Sequence, residues 1–190
     1  MSFRSRPTPA DLAAHEAAHE AGHAVIAQHF GFQDITAQTQ GLLNSLIWVN
    51  PDTPPAQHLT AYLHLTAAGE AAENVLMGHA IVPQKNLQQH DFNPNMDVVR
   101  YLIAQQTQTP LYRAADVPSH WASYWSVYNT PAFKNRWATT VQACETLFTG
   151  TLEAPLKKTR AFLARQWSAN RGAPGAPFTI QPTTLAPYLI

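Results

Sequence analysis

A chain of 190 residues is long enough for one domain with a sizeable core. Its 12 basic side chains balance its 12 acidic ones, and at 13% charged residues are about half as common as usual, which excludes the electrostatic footprint of a nucleic-acid or anionic-membrane binder. No apolar run approaches bilayer length, the opening "MSFRSRPTP" lacks the apolar core of a secretory signal, and no Gly-rich phosphate loop ends in Lys-Ser or Lys-Thr, so a soluble, cytoplasmic chain with no membrane span and no nucleotide engine is expected.

Residues 1 to 8 are expected to be disordered. A helix then starts with clear signals: Thr8 can cap, Pro9 suits the first helical position, and Asp11 sits where a carboxylate closes a capping box. It runs to about Phe30, where Gly31 is placed to stop it. Residues 32 to 50 mix β-branched and polar types, and "SLIWVN" reads as a strand of a small hairpin or sheet. Pro51, Pro54 and Pro55 break the chain. The second helix, "QHLTAYLHLTAAGEAAENVLMG", has apolar positions three and four apart (Leu59, Tyr62, Leu63, Ala67, Ala71, Val75) and ends at Gly78. After a loop, Asn93-Pro94 opens a third helix with Val98, Val99, Leu102 and Ile103 inward. Trp121, Tyr124, Trp125 and Tyr128 read as core or interface, because no basic surface accompanies them as a base-stacking platform would need. "TPAFKNRWATTVQACETLF" and "PLKKTRAFLARQWSA" are helices. The single cysteine, Cys144, is a packing residue on the first of these, so no intrachain disulfide forms. The expected fold is predominantly α with a small β-hairpin or sheet: one domain over 9–170, then a Pro-rich extended tail over 171–190 with a strand at "FTI".

The stretch "HEAAHEAGHAVIAQHFG" holds two overlapping copies of His-Glu-x-x-His. Residues four apart on a helix lie about 40° apart around its axis, one turn up. Two imidazoles so placed converge on one zinc ion, and the glutamate after the first can act as general base on the water that the metal activates. His15, His19 and His23 form one stripe, so geometry does not choose between the copies. Burial does. His23 is followed by Ala24, Val25 and Ile26, where the helix becomes apolar and a dry cavity can form. Gly22, which costs about 1 kcal/mol against alanine inside a helix, marks close approach by another backbone. The choice is His19, Glu20 and His23, with His15 and Glu16 expected at the surface of the first turns.

A third ligand must come from elsewhere. His29 lies six residues past His23, about 120° off its face on a continuing helix, and Ile26 stands where the metzincin pattern needs glycine. Glu70 and Glu73 on the second helix could serve as in thermolysin; Asp91 and Asp97 lie around the start of the third.

"HEAGHAVI" resembles the signature of the FtsH-type zinc metallopeptidases. "AAGEAAENVLMG" resembles that family's Gly-Gly-Arg-x-Ala-Glu segment: Gly69, Ala72 and Glu73 match, while Ala68 and Glu70 replace its Gly and Arg. "HDFNPNMDVVRYLIAQ" resembles the segment that carries its third ligand, an aspartate near a helix start. By that resemblance Asp91 is the preferred third ligand, because the apolar helix positions then fall at the family's offsets. Asp97, a first-turn acid, is the alternative, and Glu73 is a supporting residue. The family's ATPase module and membrane anchors have no counterpart here, and nothing after about residue 110 matches.

The resemblance implies a zincin-like peptidase domain that holds Zn2+ through His19, His23 and Asp91 and hydrolyses peptide bonds with Glu20 as general base. Its substrate would be polypeptide already exposed, or delivered by a separate partner protein; self-association is also allowed. Two rival readings differ in class. One is a catalytically inactive zinc-binding regulatory or interaction module. The other is a metal-free helical interaction protein with its aromatic cluster as docking surface.

Overall fold

The computed structural model describes residues 9–39, 45–80, 96–170 and 178–190. It is predominantly helical with one three-stranded antiparallel sheet. The proposed N-cap Thr8, the Asn93-Pro94 helix opening and the start of the expected tail lie outside the described residues.

Helix α1, Pro9–His29, stops as its sequence requires. Gly31 takes a left-handed φ of 82°, and the Phe32 N–H turns back to the Ala27 carbonyl at 2.9 Å. From Ala17 to Ala27 it is buried on nearly every side, the mark of a central helix. Strands β1, Thr36–Thr39, and β2, Ser45–Trp48, pair antiparallel, with Ala37 opposite Ile47. Helix α2, His58–Met77, ends in a left-handed Gly78 whose N–H reaches the Asn74 carbonyl at 3.0 Å. Helix α3, Met96–Thr107, buries Val98, Val99, Leu102 and Ile103, the face its spacing requires.

Two 3₁₀ turns and the short α4, Trp125–Tyr128, lead to α5, Pro131–Phe148. Thr130 caps α5 by accepting the Phe133 N–H at 3.2 Å, with Pro131 in the first turn. Of the aromatic cluster, Tyr128 is buried, and Trp121 and Tyr124 are half-buried against the core. Cys144 is buried, as a packing residue should be, with its thiol on the His64 carbonyl at 3.6 Å.

Helix α6, Glu153–Asn170, packs on α1. The last residues are not the extended tail that their prolines suggest. Strand β3, Phe178–Ile180, pairs with β1 and completes the order β2-β1-β3. Helix α7, Pro182–Leu185, and a 3₁₀ turn then fold back over α6. Leu185 and Leu189 are buried, the Thr159 hydroxyl donates to the Tyr188 carbonyl at 2.8 Å, and the Phe162 and Tyr188 rings stack. Prolines start these turns rather than prevent packing.

The α1–α2 seam sets the rest. It is built around small residues: Gly22 of α1 meets Ala68 and Ala72 of α2, and Gly69 of α2 lies under His19. A Cβ on Gly22 would overlap the Ala68 carbonyl and sit 2.6 Å from the Ala72 Cβ. The close neighbour that Gly22 signals is therefore the backbone of α2. In an exposed helix Gly→Ala stabilises by about 1 kcal/mol. Here Gly22→Ala is expected to destabilise by about 1–3 kcal/mol through overpacking. A variant melting at or above the wild-type temperature, followed by circular dichroism, would contradict this seam.

Candidate metal centre

Helices α1 and α2 run antiparallel. His15 and His19 meet Glu73 on α2, and His23 meets Leu65 two turns earlier. The His19 ring lies directly over Gly69, where a Cβ would collide with the imidazole. Glycine at that point forms the cradle for the ring.

Both chosen histidines have one ring nitrogen committed. His23 Nδ1 donates to the Leu65 carbonyl at 2.6 Å, and His19 Nδ1 donates to Glu73 Oε1 at 2.7 Å. A carbonyl can only accept, so His23 carries its proton on Nδ1, and in the neutral ring Nε2 has the lone pair. The two Nε2 atoms face a single carboxylate oxygen, Asp97 Oδ2, at 3.1 Å from His19 and 3.5 Å from His23. Atoms held about 2.0–2.1 Å from one tetrahedral ion are about 3.3 Å apart, so these separations fit a shared metal. His19, His23 and Asp97 are the one group of this kind among the described residues, with ligand atoms all within 4.8 Å of one another. Two imidazoles and a carboxylate suit a divalent transition metal, zinc and iron(II) among them. The histidine–carboxylate and histidine–carbonyl bonds are the outer contacts that normally hold such ligands in place.

Glu20 is buried beside this group, and its Oε2 has no hydrogen-bond partner among the described residues. Burial pushes its carboxyl above the ordinary glutamate value, with His23 and His19 only partly offsetting that. Burial opposes charge on His19, but hydrogen bonds to Asp97 and Glu73 outweigh it and raise its pKa well above the usual histidine value. Burial likewise opposes ionisation of Asp97. The two histidines against it more than compensate and hold it well below the ordinary carboxylate range.

Asp91, the third ligand preferred from sequence, lies outside the described residues. Asp97, the alternative, is the aspartate that meets both rings among the described residues. Glu73, named a supporting residue by the family resemblance, accepts from His15 and His19. Glu70 accepts the Trp137 indole N–H at 3.1 Å and ties α2 to α5. His29 is exposed, consistent with its angle on the helix. The expectation of surface positions for His15 and Glu16 is overturned. They are 5% and 6% exposed, because α2 returns along one side of α1 and β2 covers another. His15 Nδ1 donates to Glu73 Oε2 at 2.9 Å, and the Ser45 hydroxyl donates to Glu16 Oε1 at 2.5 Å.

No family model matches this chain, and no curated protein matches it in sequence.

The raised His19 pKa has a measurable consequence. A zinc ion bound here would displace the proton that the raised pKa favours on this ring, so its affinity is expected to rise with pH until that pKa is passed. The expected slope is about tenfold per pH unit for one displaced proton. Competition titrations with a chromophoric chelator across roughly pH 6 to 8 test it, and a flat profile would show that no proton is displaced.

Proposed function

We propose that this chain is a zinc-dependent metallopeptidase, resembling the peptidase domain of the FtsH-type enzymes. The observation that carries this reading is the convergence of His19 and His23, each fixed through Nδ1, on Asp97 beside the unpartnered buried oxygen of Glu20.

Bound zinc would supply Lewis acidity to a water molecule and to the scissile carbonyl. The chain's own residues do the rest. His19, His23 and Asp97 would hold the ion, with Glu73 and the Leu65 carbonyl fixing the two rings. Glu20 takes the proton of the attacking water and returns it to the leaving amine. Its burial suits the first half of that exchange, because a carboxylate whose pKa is raised above its ordinary value is a stronger base.

The sheet supports a polypeptide substrate. Strand β2 sits at one side of the order β2-β1-β3 and against α1, with Leu46 41% exposed on it. Its outer edge can take an extended peptide by strand addition. No described helix is long and apolar enough to cross a membrane. A reducing, cytoplasmic setting belongs to this reading, and a single cysteine, which allows no intrachain disulfide, fits it. Substrates would be already exposed segments, or chains delivered by a separate partner.

The test compares wild type, Glu20→Gln and chelator-treated protein on unfolded casein-like and peptide-library substrates. Glu20→Gln is expected to keep stoichiometric zinc and lose about 10²- to 10⁴-fold in kcat. Wild type that holds zinc but cleaves nothing would mark the chain as an inactive zinc module. Elemental analysis is expected to find zinc missing from His19→Ala and Asp97→Ala and kept by Asp91→Ala; the reverse for the two aspartates would return the third ligand to Asp91.

A further inference from the structure

The first copy of the motif is left over once His19, Glu20 and His23 are assigned. Its residues are not idle. His15 lies one turn before His19 on the same stripe, buried, and shares a partner with it. Glu73 presents Oε2 to His15 Nδ1 at 2.9 Å and Oε1 to His19 Nδ1 at 2.7 Å. One carboxylate thus spans two successive histidines of α1 with one oxygen each.

That arrangement constrains Glu73. A carboxylate bonded through one oxygen only can still swing about its last side-chain torsion, a broad and soft coordinate. Bonded through both, to rings fixed on one helix, it has one orientation. Burial of His15 and Glu73 strengthens each bond, since water does not compete there. The His15 ring is itself held edge-on by His79, with centroids 5.0 Å apart. His15 does not reach the metal group: the His19–His23–Asp97 set excludes it, and its Nδ1 is spent on Glu73. Glu16, the other half of the first copy, is engaged with Ser45 on β2 and is not placed as a second base.

We propose that His15 is a positioning residue for the metal centre. It locks the Glu73 carboxylate so that Oε1 holds His19 with Nδ1 protonated and Nε2 presented towards Asp97. This inference rests on the zinc reading above and assigns the upstream histidine a role within it. The duplicated motif is then one ligand pair preceded by its own buttress, not two competing sites.

The test is zinc affinity, measured by chelator competition on the full chain. His15→Leu removes the donor to Glu73 and is expected to weaken zinc binding about 10- to 100-fold while stoichiometry stays at one. His15→Asn offers an N–H from the same branch point of the side chain and is expected to stay within about threefold of wild type. Should His15→Leu fail to fold, by circular dichroism and thermal melting, His15→Ala takes its place against the same Asn variant. A donor-less variant that melts lower than wild type yet binds zinc equally well would reduce His15 to a packing residue and overturn the proposal. Loss of stoichiometric zinc in both His15→Leu and His15→Asn would make His15 a ligand and overturn it equally. Wild type that binds no zinc would instead bring down the metal reading beneath it, an outcome distinct from both.

Discussion

The site depends on how closely two helices approach. Imidazoles on α1 reach the backbone and the carboxylate of α2 only because the seam between them is lined by Ala and Gly. Larger side chains would move the axes apart, and the Leu65 carbonyl and Glu73 would retreat from the ring nitrogens together. The same narrow seam gives up apolar volume, because alanine buries little surface. Stability must come from the outer layers, where Trp137, Phe148, Leu156, Leu163 and Trp167 are buried on α5 and α6. The interior is thus divided: small residues where geometry matters, large ones where burial does.

Electrostatics follow from that division. Three histidines and three carboxylates (Glu20, Glu73, Asp97) occupy one largely buried strip of the α1–α2–α3 contact. Buried charge is costly unless paired, and nearly every group here has a partner. Asp97 faces two rings, Glu73 bridges two, and His23 has a main-chain carbonyl. Glu20 is the exception, with one oxygen unpartnered among the described residues. Among the described residues this leaves one buried carboxylate oxygen without a partner in an otherwise paired cluster, which suits the proton-accepting role proposed for Glu20.

Much of this was readable in the sequence, for identifiable reasons. Helices α1 and α2 announce themselves through Gly31 and Gly78, and α5 through Thr130-Pro131. The apolar run after His23 pointed to His19 and His23, which converge on Asp97, but burial does not separate the two copies, since His15 is buried as well. The angle of His29 on a continuing helix put it away from that pair, and it is exposed. What could not be read was tertiary. Leu65 acts through its backbone, which leaves no side-chain signal. His15 and Glu16 look like surface residues near a polar helix start, and only the antiparallel return of α2 and the cover of β2 bury them. The partnership of β3 with β1 joins segments from opposite ends of the chain, so "FTI" could suggest a strand but not its neighbour. Asp91 and Asp97 each satisfied one local argument, family spacing for the first and helix position for the second; spacing decided the preference for Asp91, and no sequence signal showed that Asp97 meets both rings.

The two rings of the candidate metal centre are held by different kinds of partner. His23 leans on a main-chain carbonyl, which is present whatever residue occupies position 65. His19 leans on a side chain that a single codon change can delete. One arm of the centre is therefore inherited with the helix pair itself, while the other is open to mutation without redesign of the scaffold. Variation in metal strength among descendants of this sequence would be channelled through position 73 and the residues that brace it.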